Sequence, residues 1–330
     1  MLRTFLVMMA TLAMVLVSAC GEGEEALDLT AVPSPTAMGT VGPSPTIVPA
    51  TPEGTVEASV PIGKIAFHSR RDGNGEIYLL TPESEVNITN NPAEDANPSL
   101  SPDGSKILFS SGLDGTFHIY IVNVDGSGLA KLTDDPADDL GPRWSPDDKR
   151  IAFSRAGALY VMDSDGSNVR QVTEPKPEAT APPCETGAFV GGWSPDGERL
   201  AFYTSSLTRN QGEICTVNVD GSDLRVVVSE PPGWHVEPAW SPNGEWIVYR
   251  SIRDDNHEIY IVHPDGTSDT RLTNSPAMDI EPVWSPDGEW IVFSSSRTGS
   301  FDLYIMRPDG SDVARITNSD GKDSDPSWGP

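Results

Sequence analysis

The sequence predicts an all-β fold, a six-bladed β-propeller of four-stranded blades, and three observations carry that expectation. A Ser-Pro-Asp-Gly turn, with Asp148 and Asn243 as small deviations, starts at Ser101, Ser145, Ser194, Ser241 and Ser285, spaced 44, 49, 47 and 44 residues apart. That period suits one four-stranded supersecondary unit per repeat. The same order of short apolar runs surrounds every turn, and the two ends of the array lack complementary pieces.

Each element follows from local chemistry. Before the turn, a short segment ends in Leu100, Trp144, Trp193, Trp240, Trp284 or Trp328. After it comes an aliphatic-x-aromatic triplet: Ile65 to Phe67, Ile107 to Phe109, Ile151 to Phe153, Leu200 to Phe202, Ile247 to Tyr249 and Ile291 to Phe293. A second run is centred on Tyr78, Tyr120, Tyr160, Tyr260 or Tyr304, followed by an Asp-Gly turn at Asp125, Asp165, Asp220, Asp265 or Asp309. A last strand ends in a pair such as Leu132-Thr133 or Leu272-Thr273. Alternating β-branched and aromatic residues between Asp-Gly turns form hairpins; Gly supplies the positive φ and Asp caps the backbone. No stretch after residue 60 carries a helical period.

The first repeat begins at Lys64 without a Pro-x-Trp strand, and the chain ends on that strand, Asp325-Pro326-Ser327-Trp328. Pairing it with residues 64–89 completes blade one and converts an open array with exposed edges into a ring.

These Pro-x-Trp-Ser-Pro-Asp-Gly and Ile-Tyr-x-x-x-x-Asp-Gly signatures resemble the propeller of TolB-like proteins over residues 64–330. The resemblance implies a six-bladed propeller and a cell-envelope setting. TolB itself also carries an N-terminal α/β domain, whose pattern is missing here, so its particular partner is not implied.

The N-terminal segments are of other kinds. Arg3 precedes an apolar run from Phe5 to Val17, too short for an ordinary membrane span, and the run ends in Val17-Ser18-Ala19-Cys20. This resembles the lipobox of bacterial lipoproteins, which implies a signal peptide over 1–19, lipidation of Cys20 and firm membrane anchoring through several acyl chains. Residues 20–61 are expected to form a disordered tether: Ala31 to Pro61 is built from Pro, Thr, Ser, Gly and Val, too poor in apolar area to fold. The propeller is expected over 62–330.

The formal net charge of -27 and pI of about 4.3 exclude a phosphate-binding surface, so no nucleic-acid partner is expected. Cys215 stands where five other repeats place Tyr, and Cys184 lies in the longest insertion, Glu174 to Val190. In an oxidising compartment the two form a disulfide; the alternative is two independent buried thiols.

No catalytic constellation is expected. There is no Gly-x-Ser-x-Gly elbow, and His68, His118, His235, His257 and His263 show no metal-binding spacing. The polar feature that stands out precedes each innermost strand. Five residues before the Trp or Leu position stand Asp95, Asp139, Ala188, His235, Asp279 and Asp323; three before it stand Asn97, Gly141, Val190, Glu237, Glu281 and Asp325. In a closed ring these gather near one channel mouth, as a partner site or a set of hard oxygen ligands suited to calcium. The competing explanation is structural, an Asp closing a turn through its own side chain. The leading expectation is a monomeric, non-catalytic scaffold that binds an envelope protein. The alternative is a glycan-binding protein or a metal-dependent polysaccharide-degrading enzyme.

Overall fold

The computed structural model describes residues 63–176, 182–206, 210–231 and 233–330. Cys20, the signal segment and the tether lie outside the described residues.

The described chain is built of 24 strands in six four-stranded antiparallel sheets. Blade one contains β1 (Lys64–Ser69), β2 (Glu76–Leu80) and β3 (Glu85–Asn87). Blade two is β4 (Asp95–Leu100), β5 (Lys106–Ser111), β6 (His118–Asn123) and β7 (Ala130–Lys131). Blade three is β8 (Asp139–Trp144), β9 (Arg150–Arg155), β10 (Ala158–Asp163) and β11 (Arg170–Gln171). Blade four is β12 (Ala188–Trp193), β13 (Arg199–Ser206), β14 (Gln211–Asn218) and β15 (Arg225–Val228). Blade five is β16 (His235–Trp240), β17 (Ile247–Ser251), β18 (Glu258–Val262) and β19 (Thr270–Arg271). Blade six is β20 (Asp279–Trp284), β21 (Ile291–Ser295), β22 (Asp302–Met306) and β23 (Ala314–Arg315). The last strand, β24 (Asp323–Gly329), is the innermost strand of blade one and pairs with β1, Ile65 opposite Trp328. Each innermost strand also packs against the next around the axis, β24 against β4. The ring therefore closes by the C-terminal strand, as the mismatched ends predict.

The core lies between blades. The aliphatic-x-aromatic triplets bury completely: Phe67, Phe109, Phe153, Phe202 and Phe293 are all 0% exposed. Ile65, Phe67, Tyr78 and Trp328 of blade one meet Trp290, Val292, Leu303 and Ile305 of blade six. A sheet face that fills one seam leaves its other face for the next, so the second strands are apolar on both sides. In the Ser-Pro-Asp-Gly turns, the Ser hydroxyl donates to the Asp two residues on, as Ser101 does to Asp103 at 2.6 Å and Ser194 to Asp196 at 2.5 Å. Those aspartates are turn caps.

Candidate channel-mouth site

Two rows of residues open the innermost strands, and the structure separates them. In the first row, Asp95, Asp139, His235, Asp279 and Asp323 are all 0% exposed. Their partners belong to the same blade or to the segment that leads into it. Asp139 accepts from Arg155 Nε at 2.6 Å; Asp279 accepts from Ser295 Oγ at 2.6 Å and Arg297 at 2.8 Å. Asp323 accepts from Ser69 Oγ at 2.7 Å and Arg71 at 2.8 Å. Asp95 is held by Asn91 at 2.6 Å, and burial raises its pKa to about 6. His235 joins Ser251 through Nδ1 and the Glu230 carbonyl through Nε2. The arginines also lie over the blade's aromatic pair, Arg71 4.3 Å from the Tyr78 ring and Arg155 5.1 Å from Tyr160. In five of the six blades this row is a clamp on the blade's own strands.

The second row sits at a bulge. The pairing of innermost and second strands slips between Ala96 and Ser99, Leu140 and Arg143, Val236 and Ala239, and Ile280 and Val283. There Asn97, Gly141, Glu237, Glu281 and Asp325 adopt φ between 53° and 61°. A bulge of this kind re-aims a side chain and frees a backbone N–H from the ladder. Those N–H groups bond across the seam between blades. Glu281 donates its N–H to Glu237 Oε2 at 2.9 Å, and Asp325 donates to Glu281 Oε2 at 2.6 Å. Asp325 accepts the side-chain amide of Asn97 at 2.8 Å. On the other half of the ring, hydroxyls of the second strand take over: Gly141 donates to Ser110 at 3.1 Å and Val190 to Ser154 at 2.8 Å.

Blade four breaks the pattern for a steric reason. β-branched Val190 does not take the positive φ, and Gly191 replaces the proline. A Cβ at Gly191 would lie 2.2 Å from the Pro238 carbonyl oxygen of the next blade. Only glycine allows that approach.

The second row keeps contact with solvent. The Glu237 and Arg143 side chains are each 25% exposed and Asp325 is 16% exposed. Arg250 pairs with Glu237 at 3.1 Å, and Arg143 lies 4.0 Å from Asp325. The side chains keep some solvent contact, but protein surrounds them, so solvation is partial. Burial raises Glu237 to about 7, with Arg250 opposing and Glu281 reinforcing. Burial and Glu281 raise Asp325 to about 6, against Arg143. Lys322 is lowered by burial, with Glu281 and Glu237 opposing the shift, and the same kind of burial raises Tyr203. The arrangement is a compact set of carboxylates interleaved with cations. Glu237, Glu281 and Asp325 offer the hard oxygens a calcium ion needs, but Arg143, Arg250 and Lys322 already balance their charge.

Those cations, and Tyr203, escape an inspection of single turns. For Arg250 and Tyr203 the signal is a column: the residue after each second-strand aromatic is His68, Ser110, Ser154, Tyr203, Arg250 or Ser294; Arg143 and Lys322 lie outside it. The histidines lie apart. His68 bonds Ser324 on blade one, His118 starts β6, and His263 stacks on Trp246 at 3.8 Å. Trp290 is buried in the seam core. Cys184 and Cys215 are joined by a disulfide in blade four, both buried, with Cα atoms 5.9 Å apart.

The family model of the TolB β-propeller domain matches residues 58–158 and 154–330. An uncharacterised protein of Agrobacterium fabrum is 32% identical over 185 residues, 54% of this chain and 58% of that protein. A TolB homologue of Chlorobium luteolum is 30% identical over 117 residues, 36% of this chain and 24% of its own length. The chain thus spans less than two thirds of the curated relatives it matches. The crystal structure of TolB from Acinetobacter baumannii superposes with a TM-score of 0.69 at 18% identity, covering 81% of this chain and 66% of that one, a likeness of fold. On the repeats, the closed ring and this match, the chain belongs to the TolB β-propeller domain family.

Proposed function

We propose that this protein is a non-catalytic protein-binding module of the cell envelope. It is carried on a lipid at Cys20 and docks its partner where the innermost strands begin, around Glu237, Glu281 and Asp325. One observation carries this reading: the second-row side chains are partly exposed, charged in both signs, and held in place by bonds between blades. A rigid set of this kind presents a fixed polar pattern to an incoming surface at little ordering cost. The overall charge of -27 favours encounter with a basic partner. The glycan or lyase alternative lacks a comparable observation. Among the described residues, no histidine joins two other metal-ligating side chains.

The test is capture from envelope extract with the full chain, beside a Glu237→Gln/Glu281→Gln/Asp325→Asn variant. The amides keep a carbonyl oxygen for the seam N–H groups. A protein enriched by the wild type, lost by a variant that still melts cooperatively as a folded protein, and rebinding in purified form supports the site. Equal recovery by both, or none by either, overturns it. An Asp125→Asn/Asp165→Asn variant in the turns between third and fourth strands should capture as the wild type does.

A further inference from the structure

In blade four two cysteines that depart from the repeat meet an acid that keeps to it. Where the third strand of other blades places Tyr78, Tyr120, Tyr160, Tyr260 or Tyr304, β14 places Cys215. Two residues earlier stands Glu213, at the level of Glu76, Glu258 and Asp302. In their blades, Glu258 and Asp302 pair with Arg271 and Arg315. Glu213 accepts the N–H of Cys184 at 2.7 Å and the Thr204 hydroxyl at 3.1 Å on one oxygen, and the Ser229 hydroxyl at 3.3 Å on the other. A ligand oxygen or sulfur from each of Cys184, Cys215 and Glu213 lies within 4.8 Å of the other two, and all three residues are buried.

We propose that Cys184, Cys215 and Glu213 form a redox-gated site for a thiophilic divalent cation, zinc above all, open only when the disulfide is reduced. This is independent of the channel-mouth reading. In the reduction, two equivalents of a thiol reductant become a disulfide, the Cys184–Cys215 bond breaks, and two cysteine thiols form. The arriving cation displaces both thiol protons and is held by two thiolates and one carboxylate. With Zn–S of about 2.3 Å and Zn–O of about 2.0 Å, a tetrahedral ion needs its sulfurs about 3.8 Å apart and each sulfur about 3.5 Å from the oxygen. Glu213 and the sulfurs lie within 4.8 Å of one another, so the sulfurs must part from bonding distance and the carboxylate must close on them. The hydrogen bonds on Glu213 supply the outer shell that orients a ligand carboxylate.

A groove of about 540 Å³ lies against Cys184, lined further by Thr186, Val217, Asp220 and Leu224. The Thr186 hydroxyl, 1% exposed and on the lining of that groove, has no hydrogen-bond partner. A small-molecule disulfide, taking up two electrons and two protons and leaving as two thiols, would re-form the Cys184–Cys215 bond and expel the ion by removing two of its three ligands. The site would thus exchange a covalent bridge for a metal bridge between the insertion and the third strand.

The test uses the purified full chain, reduced with a phosphine and desalted, against the same chain left oxidised. The reduced chain should retain about one zinc per molecule and the oxidised chain none. Cobalt in place of zinc should give the thiolate-to-metal charge-transfer band. A Cys184→Ala/Cys215→Ala variant, which keeps Cys20, should show neither, and Glu213→Gln should weaken retention by about tenfold or more. Zinc retained equally by the double variant, or no zinc on a reduced chain with native circular dichroism, overturns the proposal. If reduction alone melts the blade, added zinc should raise the melting temperature of the reduced wild type and leave the double variant unmoved; equal melts overturn it.

Discussion

Glu281 accepts the backbone N–H of Asp325 at 2.6 Å across the seam where blade six meets the C-terminal strand. A carboxylate facing the channel is therefore also a fastener at the closure of the ring. The same oxygen takes the Ser294 hydroxyl at 2.9 Å. Glu281→Ala leaves one backbone donor and one hydroxyl without partners and should cost about 1–3 kcal/mol. Glu281→Gln keeps an acceptor and should cost less. Urea unfolding of the two variants separates a fastener from a bystander; equal midpoints for both and the wild type would remove the role.

Closure should be cooperative. Trp328 is 8% exposed and packs with Ile65 and Phe67 in the cluster that also holds Trp290 and Leu303 of blade six. Trp328→Ala should cost about 3–5 kcal/mol. Removal of residues 325–330 takes away the pairs of Gly329, Trp328 and Ser327 with Lys64, Ile65 and Ala66 as well. The expected result is loss of the whole transition in near-ultraviolet circular dichroism; a truncated chain that keeps a native-like melt would show that blade one tolerates three strands.

The first-row acids should behave as folding residues. Asp279 is fully buried against Arg297, whose side chain is 13% exposed. Asp279→Ala strands that guanidinium and should cost about 3–5 kcal/mol. Stability is the readout, and partner capture by surviving folded protein should be unchanged.

How much of this was legible in the sequence differs between the rows. The blade period, all six innermost strands and the ring closure follow from a pattern written six times, because each copy must solve the same packing problem. The disulfide partners stood out because both break the repeat. The acids did not sort themselves. Asp95 and Glu237 look alike as charges two residues apart in the motif, but one begins the strand facing its own blade and the other sits on the bulge facing the axis. That distinction depends on a register slip of the pairing, which no composition reveals. Gly191 was visible as a lost proline, while its reason, the Pro238 carbonyl of the neighbouring blade, is a contact 47 residues away in sequence.

Cleavage of the blade-four bridge gives a stability prediction of its own. Cys184 and Cys215 are 31 residues apart, so the cross-link removes about 3–4 kcal/mol of unfolded-chain entropy on the loop-closure model. Reduction in the absence of metal should lower the urea midpoint accordingly. An unchanged midpoint would mean that the insertion stays docked through its packing alone.

One histidine and two carboxylates should set the pH dependence, with opposite signs. Burial, helped by Arg70 and Lys322, holds His68 down to about 3 from 6.5. Its neutral form is the one the fold accepts, so its contribution is complete above pH 6.5 and is lost as pH falls toward 3. Glu237 and Asp325 run the other way. Their folded pKa values, about 7 and about 6, lie above the ordinary 4.5 and 3.8, so the fold binds more protons than the unfolded chain between those limits. Stability from this pair is highest at the acidic end and falls as pH rises through 6 and 7. Glu237→Gln should therefore flatten the decline between about pH 5 and 8, and His68→Asn should flatten the loss below pH 6.5. Melting temperatures of both variants across that range check the signs: a Glu237→Gln curve parallel to the wild type would show that Arg250 keeps the carboxylate charged throughout.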